Sequence, residues 1–192
     1  MPFADDLVWV TVAEFEKYGR MTEDEDVFSD RIGQYWAIRG KPYTGKDSGL
    51  DWSGAFISMM VRLADPDADF QFSGSSSFHA EPSAQTTQNE EGGWFRGYRP
   101  AEITIEPGDL LFMNEEGQPQ LLYEDAAAER HDFPYRESHG DIVVAVDPTG
   151  IHTIGGNVKD RIGQKRFIFD ENKDLVNVAD QNQKVFVVVR RI

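Results

Sequence analysis

A change of hydrophobic period between the two halves of the chain constrains the fold most strongly. Over Asp5 to Tyr18, and again over Asp26 to Arg39, apolar residues recur at the three-to-four spacing of a helix that lays one face on a core. A third apolar stripe begins near Trp52 and ends before Asp65-Pro66, because the residue before a proline disfavours helical backbone. The first part of the chain is therefore predicted to form helices.

The second half has the pattern of short β-strands. Its β-branched and aromatic runs are separated by turn residues such as Asp147-Pro148-Thr149-Gly150. The predicted strands are Asp109 to Met113, Asp141 to Val146, His152 to Ile154, Arg166 to Phe169 and Val185 to Val189. Helices followed by strands predict the α+β class, with N-terminal helices packed on a largely antiparallel sheet.

Two segments interrupt these patterns. Residues 71–93 are rich in Ser, Gly, Thr, Gln and Glu and are predicted to be a long surface loop, which in a compact domain is often functional. Residues 114–138 form an acidic insert between the first two predicted strands. The 192 residues are most simply one domain, spanning 1–192.

Charge and composition exclude several classes of function. With 19 Lys plus Arg against 34 Asp plus Glu, the net charge of -15 would repel a nucleic-acid backbone, so no nucleic-acid partner is expected. No apolar stretch reaches the length of a membrane span, and the N-terminus lacks the basic flank and apolar core of a secretory signal. The sequence leaves the location open, including export by a signal-independent route or the earlier removal of a leader. The chain has no cysteine, which removes thiolate metal sites and a thiol nucleophile.

The segment Asp51-Trp52-Ser53-Gly54 places a hydroxyl at the start of the third predicted helix. Free backbone N–H groups and the helix dipole favour developing negative charge there, so Ser53 is a candidate nucleophile and its own N–H a candidate oxyanion donor. Serine and aspartate are also common helix caps. On this segment alone, a capping role for Ser53 or Asp51 is the simpler interpretation.

Two further polar residues are predicted to meet at one end of a β-hairpin. His139 precedes one strand and Asn157 follows the next, with the turn at Asp147 to Gly150 between them. In an antiparallel hairpin the start of the first strand lies beside the end of the second. A hydroxyl, an imidazole and an orienting carboxamide are the groups that acyl transfer needs. Taken alone, each residue is more simply an ordinary polar residue at a strand end, and only their joint placement favours a catalytic site.

Three segments together resemble a bacterial family of domains of unknown function, which in turn is similar to the NlpC-type and CHAP-type amidohydrolases with their papain-like fold. The resemblance spans about Arg31 to Phe169, and its motifs come in the expected order. The segments are Asp51-Trp52-Ser53-Gly54-Ala55-Phe56-Ile57-Ser58, Ser138-His139-Gly140-Asp141-Ile142-Val143 and Ile154-Gly155-Gly156-Asn157-Val158.

The resemblance implies a papain-like hydrolase of amide or ester bonds, with bacterial cell-wall peptide as the substrate class. Ser53 stands where those enzymes carry the catalytic Cys, His139 where they carry the general base, and Asn157 where they carry the residue that orients it. A serine hydroxyl is much less acidic than a thiol and needs the base during attack. The alternative is an inactive module that binds a peptide, glycan or partner protein in the same cleft. An inhibitor or delivery protein is a possible partner.

The remaining candidates are substrate contacts. Trp52, His79 and Trp94 are candidate substrate-binding residues, since aromatic and imidazole side chains suit peptide and sugar contacts. Trp52 also fits a core position, and His79 and Trp94 fit ordinary loop positions. Neither a His-Glu-x-x-His motif nor a phosphate-binding glycine loop is present, so no metal and no cofactor are expected.

Overall fold

The computed structural model describes residues 2–70, 72, 95–124 and 138–192. Within these residues the chain forms three α-helices followed by seven β-strands. The helices are α1 (Phe3–Tyr18), α2 (Asp26–Ala37) and α3 (Ser53–Ala64). The predicted α+β class, with helices first, is confirmed.

Helix α1 is amphipathic, and the residues that it buries follow its helical period. Leu7, Thr11, Glu14 and Tyr18 are spaced three or four residues apart and face inward. Glu14 is a carboxylate in this inward row, and it accepts a hydrogen bond of 2.6 Å from the Tyr35 hydroxyl of α2. A buried polar group therefore joins the first two helices.

Helix α3 is buried on nearly all sides, as its strongly apolar sequence indicates. It ends at Ala64, next to Asp65-Pro66, where the sequence predicted its end. Eight of its residues are buried, namely Ser53, Gly54, Ala55, Phe56, Ile57, Ser58, Met60 and Val61. None of the described helices is long and apolar enough to cross a membrane.

The strands form one antiparallel sheet in the order β1-β7-β2-β3-β4-β5-β6. A short 3-10 helix, Pro100–Glu102, follows β1. The strands are β1 (Phe95–Tyr98), β2 (Leu110–Asn114), β3 (Ser138–Asp147), β4 (Gly150–Gly155), β5 (Gly163–Phe169), β6 (Leu175–Asn177) and β7 (Val185–Arg191). All five predicted strands are present, and the sequence did not predict β1 or β6.

The two faces of the sheet pack into different clusters. Phe112 and Ile142 belong to the core that contains the helices, whereas Met113 and Val143 belong to a second cluster on the other face. Helix α3 approaches the sheet closely at Gly140, where an added Cβ would lie 2.5 Å from Cδ1 of Ile57. Glycine therefore allows the helix to pack directly on β3.

The hairpin of β3 and β4 has the predicted geometry. Asp147 pairs with Gly150 at the turn, and Asp141 pairs with Gly155 near the open end. The end of β4 therefore lies beside the start of β3. The predicted loop 71–93 lies outside the described residues except for Phe72, and so do residues 125–137 of the predicted insert 114–138.

Candidate active site

The imidazole of His139 is held by a buried carboxylate of its own strand. His139 is the second residue of β3, and its side chain is 3 % exposed. Its Nε2 lies 2.8 Å from Oδ1 of Asp141. The two residues are two positions apart, so their side chains leave the strand on the same face. This contact fixes the orientation of the ring.

The carboxylate of Asp141 has further partners on the two neighbouring strands. Its side chain is 0 % exposed. The Thr153 hydroxyl of β4 donates a 2.8 Å hydrogen bond to Oδ2, and Nζ of Lys165 on β5 lies 3.5 Å from the same oxygen. Three adjacent strands thus satisfy one buried carboxylate, as a buried charge requires.

The pKa of Asp141 is set by opposing effects. Burial by itself raises the pKa of a carboxyl group, because it penalises the charged form. The charges of Lys165 and His139, together with the hydrogen bonds from His139 and Thr153, outweigh burial and hold the pKa of Asp141 well below its usual range. The carboxylate is therefore ionised at neutral pH.

An ionised carboxylate accepts hydrogen bonds and cannot donate them, which decides the tautomer of His139. When the imidazole is neutral, its one proton is on Nε2 and is donated to Asp141. The lone pair is then on Nδ1, which lies 3.8 Å from Oε2 of Glu115. Nδ1 is thus the ring nitrogen that faces away from Asp141.

Gly155 leaves the space that the carboxylate of Asp141 occupies. A Cβ at position 155 would lie 1.9 Å from Oδ1 of Asp141 and 3.0 Å from Nε2 of His139. Any larger residue there would collide with the contact between the two side chains. The glycine is therefore a structural requirement of the pair.

A polar cavity of about 240 Å³ opens beside His139. Its wall carries groups of both charge signs and several carboxamides. The lining residues are Glu115, Glu116, His139, Asn157, Val158, Lys159, Gln164, Lys165, Asn177, Ala179, Asp180 and Gln183. In the described part of the chain, no group of three or more His, Asp or Glu side chains is arranged to hold a metal ion.

Asn157 lines the same cavity as His139, so the structure brings these two predicted residues together. Its backbone has φ 58°, a left-handed conformation that asparagine tolerates better than most residues. Its Nδ2 donates a 2.8 Å hydrogen bond to Oδ1 of Asp51, just before α3. The partner of His139 Nε2 is Asp141, so Asn157 instead links the cavity to the start of the helix.

Ser53 is the first residue of α3, and its side chain is buried. Ser53 is not one of the described residues that line the cavity of His139. The start of α3 nevertheless lies close to the end of β4, because a Cβ on Gly156 would be 2.7 Å from Cζ3 of Trp52. Gly155 faces His139 whereas Gly156 faces α3, so the imidazole and the first turn of the helix lie on opposite faces of the sheet.

The structure places Trp52 in the core at 1 % exposure. Its indole N–H donates a 2.7 Å hydrogen bond to Oε2 of Glu23, and its ring packs edge-on against Phe28. Burial, together with the charges of nearby aspartates, raises the pKa of Glu23 despite the bond from Trp52. His79 and Trp94 lie outside the described residues.

Reasoning from sequence missed the groups around His139. Asp141, Thr153 and Lys165 lie on three different strands, and Glu115 directly follows β2. One signal was available, namely the His-x-Asp spacing of His139 and Asp141, which puts both side chains on one face of a strand.

The fold and site define a chain of the α+β class, with a sheet that carries a buried His–Asp pair at the wall of a polar cavity. The chain belongs to the bacterial family DUF2272, described as uncharacterized protein conserved in bacteria, which matches residues 4–191. No curated protein and no solved structure matches the chain.

Proposed function

We propose that the chain is a papain-like hydrolase of amide or ester bonds, with cell-wall peptide as its substrate class. The observation that carries the proposal is the buried contact of 2.8 Å between His139 Nε2 and Asp141, at the wall of a polar cavity. A base oriented by a carboxylate and open on its other nitrogen is the arrangement used in nucleophilic hydrolysis. The likeness to NlpC-type and CHAP-type enzymes supports the choice of substrate.

In this proposal Ser53 is the nucleophile. By the resemblance to the papain-like enzymes, its hydroxyl proton passes to Nδ1 of His139 as Oγ bonds to the carbonyl carbon, and Asp141 stabilises the imidazolium through Nε2–H. This step requires Ser53 to reach the cavity of His139, which it does not line. The backbone N–H of Ser53, at the N-terminus of α3, stabilises the oxyanion. The imidazolium then protonates the leaving amine or alcohol, and water hydrolyses the acyl-serine by the same steps.

Asn157 and Trp52 support the site in this scheme without touching the reacting atoms. The hydrogen bond from Asn157 to Asp51 ties the cavity wall to the start of α3, and the bond from Trp52 to Glu23 fixes the first helical turn. His79 and Trp94 stay predicted substrate contacts.

The first test is digestion of purified peptidoglycan, with soluble fragments followed by mass spectrometry. His139→Gln should abolish release, whereas His152→Gln should not. His152 is a matched control because it also contacts an aspartate, Oδ2 of Asp147 at 3.0 Å, but its side chain is 36 % exposed and does not line the cavity. Equal release by both variants would contradict the role of His139.

The second test concerns the nucleophile. Ser53→Ala should abolish release, whereas Ser58→Ala, a buried serine of the same helix, should retain it if the variant is folded. Ser53→Cys should keep or raise amidase activity, because a thiol paired with imidazole ionises readily. Activity retained by Ser53→Ala and lost by His139→Gln would instead assign the attack to water.

A second candidate function is a module that binds peptide, glycan or a partner protein without cleaving it. One observation favours this function: Ser53 is not among the described residues that line the cavity of His139. Binding of peptidoglycan fragments by calorimetry, with no release by wild type or by Ser53→Cys, would support this function over the hydrolase.

A further inference from the structure

We infer that Lys165 is a positioning residue, whose ammonium group keeps Asp141 ionised and thereby fixes the proton of His139 on Nε2. The catalytic consequence of this inference rests on the proposed function, since it concerns the nitrogen that would act as base. The structural consequence, the tautomer of His139, can be measured without any substrate.

The geometry places Lys165 where it can act on the carboxylate. Its Nζ lies 3.5 Å from Oδ2 of Asp141, and its side chain is 11 % exposed. On its other side the ammonium lies 3.9 Å from Sδ of Met113, a weak acceptor that does not compete for the charge. Little water therefore screens the interaction between Lys165 and Asp141.

The interaction matters because Asp141 is fully buried. Without a nearby cation, a carboxyl group in this position would tend to take up a proton, since burial disfavours its charged form. A protonated Asp141 would carry an O–H that can donate to Nε2 of His139. The imidazole proton would then be on Nδ1, and the nitrogen proposed to accept a proton would already hold one.

Other charged groups also face this pair. Glu115 lies 3.8 Å from Nδ1 and favours a proton on that side of the ring, so it acts against Lys165. The Thr153 hydroxyl donates to the same carboxylate oxygen as Lys165 and assists it. The remaining charged residues of the cavity wall are Glu116, Lys159 and Asp180.

The experiment is ¹⁵N-resolved NMR of the His139 ring in the full chain at neutral pH. Wild type should show the Nε2–H tautomer, and so should Lys165→Arg. Lys165→Met should change the ring from the Nε2–H to the Nδ1–H tautomer, because the buried Asp141 takes up a proton once its nearby cation is removed. Lys159→Met is the matched control, because it removes one positive charge from the same cavity wall and should leave the tautomer unchanged.

Thr153→Val provides a second variant if Lys165→Met does not fold. It removes one hydrogen bond to Oδ2 in a side chain of similar shape, and it should shift the tautomer ratio in the same direction to a smaller extent. An unchanged Nε2–H tautomer in folded Lys165→Met, or in folded Thr153→Val when Lys165→Met does not fold, would overturn the inference.

Kinetics separate this inference from the proposed function. If the positioning role of Lys165 and the proposed function both hold, Lys165→Met lowers kcat on peptidoglycan fragments by about tenfold with little change in KM. Lys165→Arg should keep kcat near that of wild type. A changed tautomer with unchanged kcat would support the positioning role and refute Nδ1 as the base. An unchanged tautomer would overturn the positioning role whatever the activity.

Discussion

Gly155 offers a test of the buried His139–Asp141 contact that needs no substrate. In Gly155→Ala the new Cβ would lie 1.9 Å from Oδ1 of Asp141. An ordinary contact is near 3.5 Å, so the carboxylate or the strand must move by about 1.5 Å. Such a displacement breaks the hydrogen bond of 2.8 Å to Nε2.

Two effects lower the free energy of unfolding of Gly155→Ala. Overpacking a well-filled interior typically costs about 1 to 3 kcal/mol, and losing a buried hydrogen bond to a charged group adds about 1.5 to 3 kcal/mol. We therefore expect Gly155→Ala to lower the free energy of unfolding by about 3 kcal/mol. For a chain of this size that corresponds to a fall in Tm of about 6 to 12 °C.

The matched control is Gly33→Ala in α2. A Cβ at position 33 would meet its nearest atom, the Tyr43 carbonyl oxygen, at 3.4 Å, which is an ordinary contact. Alanine favours helix over glycine by up to about 1 kcal/mol, so this variant should be as stable as wild type or more so. Thermal and urea unfolding would measure the stabilities of Gly155→Ala and Gly33→Ala against wild type. A Gly155→Ala variant as stable as wild type, with the His139 ring signals unchanged, would refute the packing argument.

Two further predictions concern buried or partly buried carboxylates. Asp141→Asn should cost about 3 kcal/mol at pH 7, since it leaves Lys165 without its charged partner. Because the pKa of Asp141 is lowered in the folded chain, this carboxylate stabilises the fold above the unfolded pKa of about 4, and the stabilisation is lost as pH falls below that value. Urea titrations at several pH values should therefore show that the stability of Asp141→Asn depends less on acid pH than that of wild type. An identical pH dependence in the two proteins would contradict this. Glu23→Gln keeps a hydrogen-bond acceptor for the Trp52 indole. Because the pKa of Glu23 is raised in the folded chain, ionisation of this carboxyl destabilises the fold as pH rises through that pKa. At pH 7 the variant should therefore be as stable as wild type, or more stable by less than about 1 kcal/mol. A clear loss of stability in calorimetry would show that the charge of Glu23 is required.

Local sequence patterns predicted much of the fold because many of its elements are long or strongly apolar. The ends of α3 follow from its stripe and from Asp65-Pro66, and the hairpin follows from turn residues between two β-branched runs. Strands β1 and β6 were not predicted. They have 4 and 3 residues, too few to show an alternating pattern.

The candidate site was predictable only in part. His139 and Asn157 flank a recognisable hairpin, which is why their shared cavity could be anticipated. The groups that act on His139 could not be, because Thr153 and Lys165 reach Asp141 from other strands through sheet register. The register between strands depends on which side chains are buried together, so no single segment of the sequence determines it.

The proposed activation of Ser53 by His139 can be tested by covalent labelling of Ser53 with a small fluorophosphonate, with the adduct located by peptide mass spectrometry. We expect an adduct on Ser53 in wild type and in His152→Gln, and labelling that falls at least to about one hundredth in His139→Gln, because that variant lacks the general base. An adduct formed equally fast in His139→Gln, or labelling of wild type at other residues with none on Ser53, would contradict the claim that His139 activates this hydroxyl.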